Sequence, residues 1–220
     1  MTSVVSSKTP EGGFPMKSVC LSLMLLVSYT ACFAAGNEIR FVPYYIIPGD
    51  DDTWSNAYGL EAQYIIWNTP KLGFAFAGGI GSWQVNENAL VIYDPDLGAA
   101  AIAQPDGNAL TFPLGASVLF RPSTVGTIEC GLRYVFVSSN VDVGATYSNI
   151  HVKDNVDIDD GLVGLVGADW AYPITPTVNV GFGAGYQFDI SKGSVSWRGI
   201  DLGDNELKGF YLRLGLNLTM

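Results

Sequence analysis

The chain closes on Gly209–Met220, GFYLRLGLNLTM, and every second residue of that stretch is of one kind. Phe210, Leu212, Leu214, Leu216, Leu218 and Met220 form an apolar set, while Tyr211, Arg213, Gly215, Asn217 and Thr219 form the other. Successive side chains of a strand point to opposite faces, so a strict period of two marks a strand whose faces meet unlike surroundings. The apolar face touches either a protein core or lipid. The rest of the chain decides which.

The same rhythm recurs in NEIRFVPYYII (37–47), AYGLEAQYIIW (57–67), KLGFAFAGGIGSW (71–83), NALTFPLGASVLFR (108–121), GTIECGLRYVF (126–136), GLVGLVGADWAY (161–172) and TVNVGFGAGYQFDI (177–190). With the closing segment these predict eight strands and no helix in the mature chain. Three connections are tight and carry proline: NTPK (68–71), RPST (121–124) and PITPT (173–177). The others are long and acidic: 48–56, 84–108, 138–160 and 191–206. Short turns at one end and long loops at the other are how outer-membrane barrels are built.

Composition separates lipid from core. Of 220 residues 48% are hydrophobic, 15% are charged and 26 are glycine. A face turned to water needs many Lys, Glu and Asp. The set opposite the apolar one instead holds Gly, Ala, Ser, Thr, Asn and Gln, with single charges at Arg40, Glu61, Glu129, Arg133, Asp169 and Arg213. Small residues with scattered charges suit the crowded lumen of an eight-stranded barrel, so the oily face is assigned to lipid. Trp67, Phe120, Trp170 and Tyr172 beside the short turns, and Trp54, Trp83, Phe136, Phe188 and Trp197 at the long-loop ends, read as two interfacial girdles. Eleven Lys+Arg against 21 Asp+Glu give a net charge of -10 and no basic patch, which speaks against nucleic acid.

Met16–Ala35 has the lysine, short apolar run and small-residue end of a secretory signal. Residues 1–15 read as an over-long N-terminal extension, 16–35 as the signal peptide and 37–220 as the barrel domain. YTAC before Cys32 offers Tyr29 where a lipobox has leucine, which speaks against lipidation, and Cys130 is the thiol left to the mature chain. Every long apolar stretch is cut by glycine, proline or charge. A chain that enters a membrane this way must close its sheet, because lipid cannot satisfy open edge groups.

From 37 to 220 the pattern resembles the small outer-membrane barrels of the OmpA/OmpX and opacity-protein type. The closing FYLRLGLNLTM resembles the carboxy-terminal signal of that family, with Met220 standing where the family ends on an aromatic residue. The resemblance implies an all-β, eight-stranded, antiparallel up-and-down transmembrane barrel in the cell outer membrane, with short periplasmic turns and long extracellular loops. Outer-membrane lipids, lipopolysaccharide and the barrel-assembly machinery are the partners implied.

No constellation of catalytic residues stands out. His151 falls in a long loop near Ser148, and neighbours three apart on a strand point to opposite sides, unlike the serine–histidine pairing of lipid A-modifying barrels. DNVDIDDG (154–161) approaches a calcium loop, but Asp160 stands where glycine is required, so the acidic loops read as solvated. GSWQ (81–84) holds the G-x-W of soluble lipocalins, yet it lies on the third strand of a chain that closes on a strand. The expectation is a monomeric scaffold with no catalytic residue, cofactor or metal, displaying acidic loops for surface interaction, adhesion or envelope integrity. Its six lumen charges, Arg40, Glu61, Glu129, Arg133, Asp169 and Arg213, are expected to pair as a structural plug. A narrow pore and a lipid A-modifying enzyme are the alternatives.

Overall fold

The computed structural model describes residues 36–49, 53–87, 90–94, 99–147 and 150–220. The extension and signal assigned to 1–35 lie outside the described residues, as do Asp50–Asp52 and Ser148. Twelve strands follow in order: β1 (Gly36–Pro48), β2 (Trp54–Trp67), β3 (Leu72–Val85), β4 (Leu90–Asp94), β5 (Ala99–Phe120), β6 (Gly126–Tyr147), β7 (Ile150–Ile158), β8 (Gly161–Pro173), β9 (Val178–Ser191), β10 (Gly193–Trp197), β11 (Ile200–Asn205) and β12 (Gly209–Thr219). Eight of them form one antiparallel ring, β1-β2-β3-β5-β6-β8-β9-β12, which closes where Ile39 of β1 stands opposite Leu218 of β12.

The closing strand behaves as its alternation requires. Phe210, Leu212 and Leu214 are 63%, 53% and 62% exposed, while Tyr211, Arg213 and Asn217 are 6%, 8% and 3% exposed. The exposed row continues around the ring through Phe41, Leu60, Ile80, Leu114, Leu132, Val166 and Phe182. The short turns are held by hydroxyls beside their prolines. Thr69 Oγ1 accepts from Leu72 N at 2.9 Å, Ser123 Oγ from Gly126 N at 3.0 Å and Thr175 Oγ1 from Val178 N at 3.1 Å. Side-chain turns of this kind fix a sharp reversal where proline has stopped the strand.

Three of the four long connections, 84–108, 138–160 and 191–206, carry strands among the described residues. β5 and β6 each run for 22 residues and stay paired as far as Ile102 opposite Thr146. At ~3.3 Å per residue each reaches roughly 70 Å, about twice what the ~9–11 residues of a membrane-spanning strand cover. β4 pairs with β5, β7 with the upper part of β6, β10 with β7 and β11 with β10. A folded sheet, here termed the crown, therefore stands above the barrel rim. The calcium-like stretch lies in β7 and the turn after it. Asp160 accepts from Val137 N at 2.8 Å and Tyr134 Oη at 3.1 Å, and Asp159 from Ser194 Oγ at 2.5 Å.

The girdle reading needs correction at all four of its tryptophans other than Trp170. Trp54, Trp67, Trp83 and Trp197 are buried, while Phe120, Trp170, Tyr172, Phe136 and Phe188 are exposed. Trp67 and Trp83 lie on the inward parity of their strands. Trp54 has the outward parity of Tyr58 and Leu60, but a register shift between Trp54 and Asn56 turns it inward. A bulge adds one residue and so exchanges the faces beyond it. Trp197 packs in the crown with Val141, Val143 and Val156.

Candidate functional site

The lumen is built in layers by side chains from facing strands. At the short-turn mouth Glu38 of β1 accepts from Trp67 Nε1 at 2.7 Å and from Arg121 Nη2 at 3.2 Å. The Arg121 guanidinium lies 3.8 Å from the centre of the Trp67 ring. Between the three short turns opens a vestibule of about 510 Å³, lined among others by Glu38, Arg40, Trp67, Arg121, Asp169 and Asn217.

Above the vestibule the six charges singled out in the sequence meet. Arg133 Nε donates to Glu61 Oε2 at 2.8 Å and Arg133 Nη2 to Glu129 Oε1 at 3.2 Å. Arg213 Nη2 donates to Glu129 Oε2 and to Asp169 Oδ2, each at 2.6 Å, and Arg213 Nε to Asp169 Oδ1 at 2.6 Å. Arg40 Nη1 donates to Asp169 Oδ2 at 3.1 Å. The result is one chain across the lumen, Glu61–Arg133–Glu129–Arg213–Asp169–Arg40, with three charges of each sign.

Two neutral residues missing from the sequence reading tie the chain to the wall. Ser117 Oγ donates to Glu129 Oε1 at 2.6 Å and accepts from Arg133 Nη1 at 2.9 Å, and Gln63 Nε2 donates to Glu61 Oε1 at 2.7 Å. Their signal was parity alone: both stand in the inward set of their strands. The inward glycines make the room. A Cβ on Gly183 would overlap Asp169 Oδ1, and one on Gly167 would overlap the hydroxyl of Tyr211. Only a hydrogen fits there, because the opposing side chain occupies the volume.

Over the charges lies a cavity of about 50 Å³, lined by Tyr44, Trp83, Pro113 and Tyr211 with Glu61, Arg133 and Arg213 below. That is room for a water or two. It is roofed by a buried apolar cluster of Ile46, Trp54, Ala57, Trp83, Ala109, Val135, Val163, Leu165, Leu207 and Tyr211. The interior is thus ionic in its middle and oily above. The backbone of His151 stands in β7 opposite Thr146, and its side chain, like Ser148, lies outside the described residues.

A closed antiparallel ring of eight strands, apolar where it meets its surroundings and ionic within, defines a transmembrane β-barrel of the small outer-membrane type, and the outer membrane is where it resides. Solved structures of that type superpose on it. The outer membrane protein OprG of Pseudomonas aeruginosa is 11% identical, covers 85% of this chain and 97% of its own, and gives a TM-score of 0.52. A major outer membrane protein of Thermus thermophilus is 15% identical, with 84% and 98% covered and a TM-score of 0.50. Ail, the attachment invasion locus protein of Yersinia pestis, is 10% identical, with 84% and 99% covered and a TM-score of 0.45. At these identities the likeness shows the fold alone, and it rests on the first two. No family model and no curated protein matches the chain.

Proposed function

We propose that the protein is a monomeric membrane-anchored scaffold, with no catalytic role, whose sealed barrel holds a folded acidic crown above the outer membrane for surface interaction, adhesion or envelope integrity. The observation that carries this reading is the unbroken ion-pair chain from Glu61 to Arg40 beneath a tryptophan-rich roof. Its six charges pair and cancel, three of each sign, which is what a plug requires and a conducting path does not. The crown exposes Asp106, Asp154, Asp157, Asp159, Asp201 and Asp204. Its cations are already engaged, Lys153 by Asp142 at 2.8 Å, Lys192 by Asp204 at 3.1 Å and Arg198 by Asp154 at 3.8 Å. The surplus of carboxylates favours a cationic partner, or lipopolysaccharide phosphates bridged through divalent cations.

The test is electrical. Refolded protein in planar bilayers is expected to pass no unitary current, whereas the Glu129→Ala/Arg213→Ala pair, emptied at the centre of the chain, is expected to leak. Regular current steps from the unaltered protein would replace the scaffold reading with the narrow pore.

A further inference from the structure

The outer wall of the barrel changes character across β2, β3 and β5, and a groove opens at the change. Leu60 stands opposite Ile80 on the lipid-facing side, each 48% exposed. Four residues along on the same face Asn56 stands opposite Gln84, and Gln84 opposite Asn108. Tyr58, 48% exposed, and Ser82 form the pair between. At that row lies a groove of about 560 Å³, lined among others by Tyr58, Gln84, Glu87, Asp106 and Asn108. A volume of this size lies within the range of ligand-binding clefts, ~300–1,000 Å³. Gln84, Glu87 and Asp106 are exposed, and no Lys or Arg is among the described residues that line the groove. Asn108 Nδ2 donates to Ser82 Oγ at 2.9 Å, which holds that carboxamide and leaves its oxygen as an acceptor.

We propose that the groove seats the sugar head of an outer-leaflet glycolipid whose acyl chains lie along Leu60 and Ile80. Height makes the occupant a lipid. The four residues from Ile80 to Gln84 cover about 13 Å of strand at ~3.3 Å per residue, so a lipid packed on the apolar face below brings its head to the polar row. Chemistry makes that head a sugar. Carboxylates accept and carboxamides both donate and accept, so Glu87, Asp106, Gln84 and Asn108 together complement a ring of hydroxyls. Tyr58 adds the amphipathic ring found where hydrocarbon meets headgroups. A phospholipid head brings its phosphate to two carboxylates with no cation among the lining residues, which repels it. A soluble sugar forgoes the apolar contact below, and with it the hydrophobic part of the affinity. The groove lies on the outer wall, so it stands whether or not the lumen conducts, and it needs no divalent cation as a bridge.

Phosphatidylcholine nanodiscs with a rising share of monoglucosyl diacylglycerol, holding the isotope-labelled full chain in the presence of EDTA, test it. The carboxamide resonances of Gln84 and Asn108 should shift saturably with glycolipid content, and the Trp197 indole in the crown should stay unmoved. Gln84→Ala, read at Asn108, should weaken binding about ten-fold, the effect of one lost hydrogen bond, while keeping the heat-modifiable gel mobility of the folded barrel. Asp106→Ala, at an exposed side chain on another strand, should weaken it likewise and carries the test if the Gln84 variant does not fold. Shifts that grow linearly would mean that the glycolipid is only bulk solvent for the wall and would overturn the proposal. So would undiminished affinity in the folded variants, or saturation by phosphatidic acid in the glycolipid's place. Saturation by free glucose in glycolipid-free discs would make the ligand a soluble sugar and overturn it too.

Discussion

The lower and upper halves of β6 share one pleat and obey opposite rules. Below Phe136 the buried side holds Glu129 and Arg133, and the exposed side holds Ile128, Leu132 and Tyr134. Above it the buried side holds Val141 and Val143, and the exposed side holds Ser138 and Asn140. β5 repeats the change, from exposed Phe112, Leu114 and Val118 below to exposed Asp106 above. The backbone does not alter between the halves, but the solvent does. In the bilayer the outside is hydrocarbon and the charges go inward, where they pair. In the medium the outside is water and the valines go inward around Trp197. Hydrophobicity alone does not say which face is the core, and the residue where the apolar set changes sides marks the membrane surface.

The comparison breaks most visibly at the centre of each half. Arg213→Leu strips Glu129 and Asp169 of a shared partner and leaves their charges buried, which should cost about 3–5 kcal/mol. Urea titration followed by heat-modifiable mobility reads that loss in the barrel. Trp197→Ala opens a cavity worth about 3–5 kcal/mol at a side chain with no exposure, but the damage should stay in the crown. Protease should then cut within 138–160 and 191–206 while the membrane-embedded fragment remains folded. Equal weakening of both halves by either change would show one cooperative unit instead of two. The boundary itself is sharpened by one substitution made twice. Leu132→Arg, on the lipid face, should cost about 2–4 kcal/mol. Asn140→Arg, on the same parity eight residues on, should stay within about 0.5 kcal/mol. Similar costs at the two sites would sink the assignment of media.

The sequence displayed the barrel because lipid makes the alternation extreme: Phe210, Leu212, Leu214 and Leu216 against Arg213 and Asn217 leave little choice of strand or face. The six charges were visible for the same reason, each alone on a face of small residues. Which carboxylate meets which guanidinium was not, because Arg213 and Glu129 are 84 positions apart and only the ring brings them together. The crown escaped because its hydrophobic period sits on the parity that lower down is the lumen's. A reading anchored on Leu132, Tyr134 and Phe136 sees Val137, Val141 and Val143 as out of step and takes the stretch for a loop. Trp54 was misplaced by a bulge of a single residue, which leaves no mark in a pattern of two.

The smallest expected effect lies where the halves join. Between β9 and β12 Lys192 donates to Asp204 at 3.1 Å, and Glu206 is gripped by both Lys192 and Lys208. The Lys192 ammonium, and after it that of Lys208, hold the Glu206 carboxyl below the usual carboxylate range. Glu206 first and Asp204 next push Lys192 up to about 12. A carboxyl depressed in the folded state stabilises fully above its unfolded value and loses that contribution as pH falls through the folded one. A raised lysine stabilises below its unfolded value and fails as pH climbs through about 12. The clasp is therefore complete at neutral pH and releases toward acid, where the amides of Leu207 and Gly209 should lose protection against exchange relative to their intrinsic rates. Glu206→Gln should show at neutral pH the reduced protection that the parent shows in acid. Salt should imitate acid here, because exposed pairs are screened within about 10 Å at 0.1 M ionic strength. The chain from Glu61 to Arg40, walled in by strands and lipid, should ignore the same salt. A lumen that loosened together with the clasp would mean that water reaches its charges, and would turn the plug back into a candidate pore.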